Sequence, residues 1–320
     1  MQKTLIVLAL IAMQANAAPL FHDNIAAGKR PLTYIGKNTK AATTLALTQK
    51  TDGGDTVARV AAGSPVTVLL VDNKGHALVK NIFGLTGWAQ ADTSGAPVDK
   101  LDGLQKAEMA KNTFFFYFDP TNSKFLNETL PIKGDRPEIY RALRGKFAGD
   151  DKEYLLQCDE GMSADPNCTI FPAGDNIPDG PYYGDNTLNG ETYYIPGNGY
   201  IYTDTRANLF YQTRSKYVLQ DGKLSKIKQP YQYIGVNSKA QNSFKLDGLD
   251  GKKHAVKKGE KVHIILDDPY AIPCKEDSLC NIKLLLKNSH GNIGWVVPDL
   301  VNSEYENPGP KIEYIRFYGD

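Results

Sequence analysis

Short apolar runs separated by turn residues recur along most of this chain. Val66, Val68 and Leu70 alternate with Thr67, Leu69 and Val71 and stop at Asp72-Asn73-Lys74-Gly75. A period of two predicts a strand, and the polar tetrapeptide predicts a hairpin turn. Val262, Ile264 and Leu266 repeat the pattern ahead of Asp267-Asp268-Pro269. Such β-branched runs, broken at short intervals by turns, describe small all-β barrels. Phe114 to Phe118 read FFFYF, the core of a buried strand, ended by Asp119-Pro120-Thr121-Asn122. Further strands are predicted at Glu191–Ile195, Tyr200–Thr203, Leu209–Arg214 and Lys216–Leu219, with Asp221-Gly222 as a hairpin turn.

Two stretches carry helical signals. A short helix is predicted over Leu104–Lys111. A second starts at Asp135, which can cap while Glu138 closes a capping box. Ile139, Tyr140, Leu143 and Phe147 then share one helical face, and the helix ends at Gly145 or shortly after. From Cys158 to Gly199 the chain is rich in Asp, Asn, Gly, Pro and Tyr, which predicts long loops.

The chain also says one thing twice. PLTYIGKNTKA at Pro31–Ala41 returns as PYQYIGVNSKA at Pro230–Ala240. Tyr34, Gly36 and Asn38 match Tyr233, Gly235 and Asn237 at an offset of 199 (233 − 34). Gly63, Val66, Val68 and Leu70 match Gly259, Val262, Ile264 and Leu266 at 196 (259 − 63). Leu78, Lys80, Asn81, Gly87 and Trp88 match Leu285, Lys287, Asn288, Gly294 and Trp295 at 207 (295 − 88). The second copy therefore gains 11 residues (207 − 196), and these carry Cys274 and Cys280. A repeat after a long gap implies paired modules around an unlike insert.

The order of features resembles the bacterial Src-homology-3-like domain. There, a glycine-led segment precedes a hairpin that returns into a Gly-Trp strand. Here the segments are Ala62–Val68 and Lys258–Ile264, and the strands begin Gly87-Trp88-Ala89 and Gly294-Trp295-Val296. The resemblance covers about 33–92 and 232–300. Both copies depart from it at their start, where in the first copy the polar segment Ala41–Val57 replaces a short loop.

The fold expected is mainly β, with two small Src-homology-3-like β-barrels flanking a central α+β domain. The divisions are 1–17, 18–32, 33–92 (first barrel), 93–111 (linker and short helix), 112–228 (central domain), 229–300 (second barrel) and 301–320 (tail). In the tail, Ile312, Tyr314, Ile315 and Phe317 suggest a last docking strand.

The first seventeen residues, MQKTLIVLALIAMQANA, have a basic start, an apolar core and an Ala-Asn-Ala cleavage site. They read as a secretory signal peptide, cleaved near Ala17, which implies a periplasmic or secreted chain. No run is long enough for a transmembrane segment. The 37 basic residues nearly balance the 36 acidic ones, so neither nucleic acid nor an acidic membrane surface is indicated as partner. Four cysteines fall in two close pairs, Cys158 with Cys168 and Cys274 with Cys280. In an exported chain these predict two local disulfides rather than a metal site.

No constellation of catalytic residues emerges, and no cofactor is implied. Cell-wall L,D-transpeptidases use Ser-His-Gly-Cys, but Asn292 follows Ser289-His290-Gly291 here, so there is no thiol to activate. That segment reads as a turn opposite Gly84–Gly87. Papain-like wall amidases need a free Cys and a His, and the region 112–228 contains no histidine. His254 and His263 read as strand residues. Asp119, Glu128, Asp135 and Glu138 form the one acidic cluster worth weighing for acid–base chemistry, and capping and solvated surface are the preferred account of it. Asp175, Asp179 and Asp185 could offer oxygens to calcium but lack EF-hand spacing.

Tyrosines on long loops suit recognition of a glycan or a protein. The ligand-binding candidates are Tyr182, Tyr183, Tyr193 and Tyr194 in the middle, with Tyr34, Trp88, Tyr233 and Trp295 in the barrels. The function expected is non-catalytic binding at the cell envelope. Family resemblance implies a cell-wall fragment (peptide or glycan) or a protein partner as ligand. Two alternatives stand beside it: a periplasmic inhibitor or immunity protein, and a peptidoglycan hydrolase acting through the central domain.

Overall fold

The computed structural model describes residues 19–23, 25, 31–109, 114–126, 142–159, 167–174, 186–206, 211–271, 282–299 and 309–313. Within them the chain is mainly β. Four sheets hold every strand, and the one helical element is a 3-10 turn over Pro31–Tyr34.

The first repeat comprises β1 (Asn38–Lys40), β2 (Leu45–Lys50), β3 (Gly53–Val60), β4 (Pro65–Val71), β5 (Ala77–Asn81) and β6 (Thr86–Ala91). They form one sheet in the order β1-β4-β5-β6-β2-β3. The hairpin expected at Asp72–Gly75 joins β4 to β5, and Gly75 N–H donates to the Asp72 carbonyl at 3.1 Å.

The central region begins earlier than expected. Gln105–Met109 is an edge strand, β7, and not a helix: it pairs antiparallel with β8 (Phe114–Phe118). The apolar, alternately buried β8 offers a strand edge, and pairing there outweighs the modest helical propensity of the segment. After β8 the chain leaves this sheet to build a second one from β9 (Ser123–Leu126), β10 (Ala142–Gly145), β11 (Tyr154–Asp159), β12 (Asn167–Pro172) and β13 (Thr187–Asn189). It returns as β14 (Thr192–Ile195), parallel to β8, followed by β15 (Tyr200–Thr205), β16 (Thr213–Gln220) and β17 (Lys223–Ile227). β16 runs unbroken through Arg214–Lys216, where two strands were expected, and turns at Asp221-Gly222 with both residues at positive φ.

β10 to β13 correct two further expectations. Leu143 and Phe147 are buried, but on a strand and the coil after it rather than on a helix. Gly145 is no helix terminator: a Cβ there would lie 2.6 Å from the Asn122 carbonyl oxygen, so glycine lets β9 approach. The start of the expected helix, at Asp135, lies outside the described residues. The stretch expected as loops contains β12 and β13 as well as β14. Cys158 and Cys168 are register partners on β11 and β12 and are joined by a disulfide. Cys274 and Cys280 lie outside the described residues.

The second repeat comprises β18 (Gln232–Lys239), β19 (Phe244–Gly248), β20 (Lys253–Val256), β21 (Lys261–Asp268), β22 (Lys283–Asn288) and β23 (Ile293–Val296). Its order, β18-β21-β22-β23-β19-β20, is that of the first repeat strand for strand. The equivalence extends to detail. A register shift between Val68 and Leu70 recurs between Ile264 and Leu266. In both copies the glycine before tryptophan lies against the strand it crosses. A Cβ on Gly87 would come 2.9 Å from the Leu47 carbonyl carbon, and one on Gly294 would come 2.6 Å from the Asp247 oxygen. Each sheet is open among the described residues, since its two edge strands are not hydrogen-bonded to each other, whereas a closed barrel was expected.

The described segments flanking the two repeats, at Phe21 and at Ile312, dock in the same way. Phe21 bridges to Ala41, and His22 N–H donates to the Lys40 carbonyl at 3.0 Å. Ile312 bridges to Ala240, the equivalent alanine, and Glu313 N–H donates to Lys239 at 2.8 Å. Phe21 and Ile312 are both buried in their modules.

Four apolar clusters hold these parts together. Phe114, Phe116, Phe118, Tyr193 and Ile201 face Leu143, Leu156 and Ile170 between the two central sheets. Tyr202 and Tyr194, alternate to Ile201 and Tyr193, pack instead with the first repeat. The second repeat has its own core, which Tyr211 enters from the central region. The fourth cluster joins the copies through equivalent residues: Leu69 and Ile265, Leu70 and Leu266, Leu78 and Leu285, Trp88 and Trp295.

Candidate functional site: the cleft between the repeats

A cleft of about 1040 Å³ opens where the two repeats face each other. One wall carries Asn38, Thr67, Leu69 and Lys80, and the other carries Asn237, His263, Ile265 and Lys287. These are the same four positions of the two copies. On the first wall, Asn38, Thr67 and Lys80 are successive register partners across β1, β4 and β5. On the second, Asn237, His263 and Lys287 are register partners across β18, β21 and β22. Thr67 Oγ1 donates to Asn38 Oδ1 at 2.8 Å. His263 Nδ1 meets Asn237 Oδ1 at 2.8 Å, which fits the tautomer with its hydrogen on Nδ1.

The cleft is strongly cationic. Lys239 and Lys261 join Lys80 and Lys287, against one lining carboxylate, Glu313. None of the four lysines is ion-paired with a described residue, although eight other lysines and arginines are. Lys80 Nζ sits 4.8 Å from the centroid of the Tyr233 ring, and burial pulls its pKa down. The His263 pKa is also lowered, by burial first and by the Lys287 charge second. Leu69, Ile265 and Tyr233 form apolar ground between the charges. Ammonium groups without an ion-pair partner, one of them (Lys80) partly buried and three exposed, set beside apolar surface are suited to holding an anion non-covalently.

The residues expected to bind divide sharply. Tyr233 lines the cleft. Tyr34, its equivalent, packs on the core of the first repeat. Trp88 is buried between the copies, and Trp295 is half-buried with its ring stacked on Tyr231 at 5.8 Å. Tyr193 is fully buried: it stacks on Phe116, and its hydroxyl donates to the Gly190 carbonyl at 2.6 Å, so it is a core residue and not a contact. Tyr194 is stacked on Tyr117 and capped by the Arg214 guanidinium 4.3 Å from its centroid. Tyr182 and Tyr183 lie outside the described residues.

The acidic and histidine candidates have structural duties. Asp119 accepts hydrogen bonds from Thr121 and Asn122 within its turn. Glu128, Asp135 and Glu138, and the calcium candidates Asp175, Asp179 and Asp185, lie outside the described residues. Ser289-His290-Gly291 is a turn whose register sets it opposite Ile82-Phe83-Gly84, two residues earlier than expected. Asn288 Oδ1 accepts the backbone N–H groups of His290 and Asn292, as Asn81 Oδ1 accepts those of Phe83 and Leu85. Among the described residues, no three His, Cys, Asp or Glu side chains come together in a way that could hold a metal ion.

Sequence reasoning passed over Lys80, Lys287, Asn38, Asn237, Leu69 and Ile265 as site residues. The signal was present: polar residues kept at the same outward strand positions in both copies need a reason other than the core.

A buried ion pair lies elsewhere. Lys216 Nζ sits 2.7 Å from Asp99 Oδ1, with side chains 4% and 5% exposed. Tyr202 Oη and Arg59 N–H also donate to Asp99. It ties the segment after β6 to the central sheet.

Comparison with protein-family models, curated proteins and solved structures finds no match. No helix among the described residues is long and apolar enough to cross a membrane.

Proposed function

We propose that this is an exported, non-catalytic binding protein of the cell envelope, in which two Src-homology-3-like modules form one binding site between them. The ligand is an anionic cell-wall fragment, a peptide or glycan bearing carboxylates. The observation that carries this reading is the cleft itself: four unpaired lysines and His263 against one carboxylate, on walls built from equivalent positions of the two repeats. The shared strand order supports the modular reading, and the Cys158–Cys168 disulfide fits an oxidising compartment.

The test is titration with soluble disaccharide-peptides released from purified sacculi. Charge-assisted hydrogen bonds contribute on the order of 1.5–3 kcal/mol each, so Lys80→Met or Lys287→Met should weaken binding roughly tenfold or more. The weakening should grow with falling salt. Undiminished binding by the double variant would remove the cleft from the proposal.

A further inference from the structure

The two walls of the cleft are one row of residues written twice with a single change of chemistry. Asn, Thr and Lys in the first copy become Asn, His and Lys in the second. Thr67 and His263 make the same 2.8 Å contact to their asparagine oxygen. Thr67 cannot change charge, whereas His263 can. Its Nδ1 is held by Asn237, so Nε2 is the nitrogen left to meet a ligand.

We infer that the cleft is a pair of anion half-sites for an elongated molecule with two acidic groups, and that the half built on His263 takes up a proton as its acidic group binds while the half built on Thr67 does not. This rests on the reading of the cleft as the binding site.

The charged groups around His263 are Lys261 on its own strand, Lys239 on β18, Lys287 on β22, Lys80 across the cleft and Glu313 from the C-terminal segment. Burial first, and the Lys287 charge second, lower the His263 pKa, so the imidazole is neutral at neutral pH. An acidic group placed beside Lys287 reverses the local field and favours imidazolium. One proton passes from solvent to the imidazole, and no covalent bond changes. By linkage the affinity must then rise as pH falls through the imidazole range.

The experiment uses pentane-1,5-disulfonate, whose two charges do not change with pH, added to the full chain and followed by NMR at pH 5.5 and 8.0. The expected result is roughly tenfold tighter binding at the lower pH, with the His263 midpoint rising by about one unit at saturation. His263→Thr, which copies the first repeat, should still bind but lose the pH dependence. Thr67→His should add a second proton to the uptake. Binding with no difference between the two pH values overturns this inference and leaves the cleft reading standing. So does a difference that survives in His263→Thr. Absence of binding at both pH values overturns both.

Discussion

At the residue scale, the departures from the repeat are where the molecule does something particular. Val71 is a buried strand residue, and its equivalent in the second copy is Asp267, also buried. Tyr211, reaching in from the central region, donates its hydroxyl to Asp267 Oδ2. Burial first, and the neighbouring Asp268 charge further on, push the Asp267 carboxyl up to about 6, against the opposing effect of the Tyr211 bond. The folded state therefore holds a proton that the unfolded chain releases near its ordinary 3.8. Its contribution to stability is full below about pH 4 and is lost as pH rises to about 6. A shift of about two units corresponds to roughly 3 kcal/mol. Urea midpoints at pH 4.5 and 7.0 should show Asp267→Asn losing less stability across that interval than the parent chain. Equal losses would mean that the carboxyl does not titrate there. This site was illegible as pattern, since its partner lies 56 residues away.

At the element scale, strands were legible where alternation ran beside turn residues, as in β4 and β21, and where an apolar run met them, as in β8. Of the two expected helices, the first is strand β7 where it is described, and the described end of the second, Ala142–Gly145, is strand β10. Leu143 and Phe147 are four apart, which fits a helical face, yet Leu143 stands opposite both Phe125 and Leu156 in a sheet. A short apolar spacing cannot distinguish the two, and the available partner edges decide. The same sheet holds the disulfide between adjacent strands. Closing so short a loop is worth about 2–3 kcal/mol on the chain-entropy estimate. Replacing Cys158 and Cys168 together with serine should lower the unfolding free energy by about that amount, read from the denaturant midpoint, and leave the β-type far-ultraviolet signal unchanged. A loss near zero would show that the hairpin is held by Leu156, Ile170 and Leu188 alone.

At the scale of the whole molecule, the repeats are not beads on a string. Trp88 and Trp295 belong to one apolar cluster between the copies, and Tyr211 and Tyr202 anchor the central sheets to each of them. Unfolding should therefore be cooperative. Single-tryptophan chains made by Trp88→Phe and Trp295→Phe should report coincident urea transitions by fluorescence, after correction for the stability each loses. Two separated transitions would show that the copies unfold independently. The sequence by itself determined that there are two copies, that each is a small β unit and that a tryptophan marks the same strand in both, because alternation, turn chemistry and self-similarity are local properties of a chain. It also showed the matched pairs Asn38 and Asn237, Lys80 and Lys287, without showing that they line a site. Only the tertiary structure decided that the copies face each other, that those pairs line one cationic cleft and that Phe21 and Ile312 bridge to the equivalent alanines of their modules. Such contacts join segments roughly two hundred residues apart, and which faces meet is set by how apolar surfaces bury one another, a choice that no local pattern encodes.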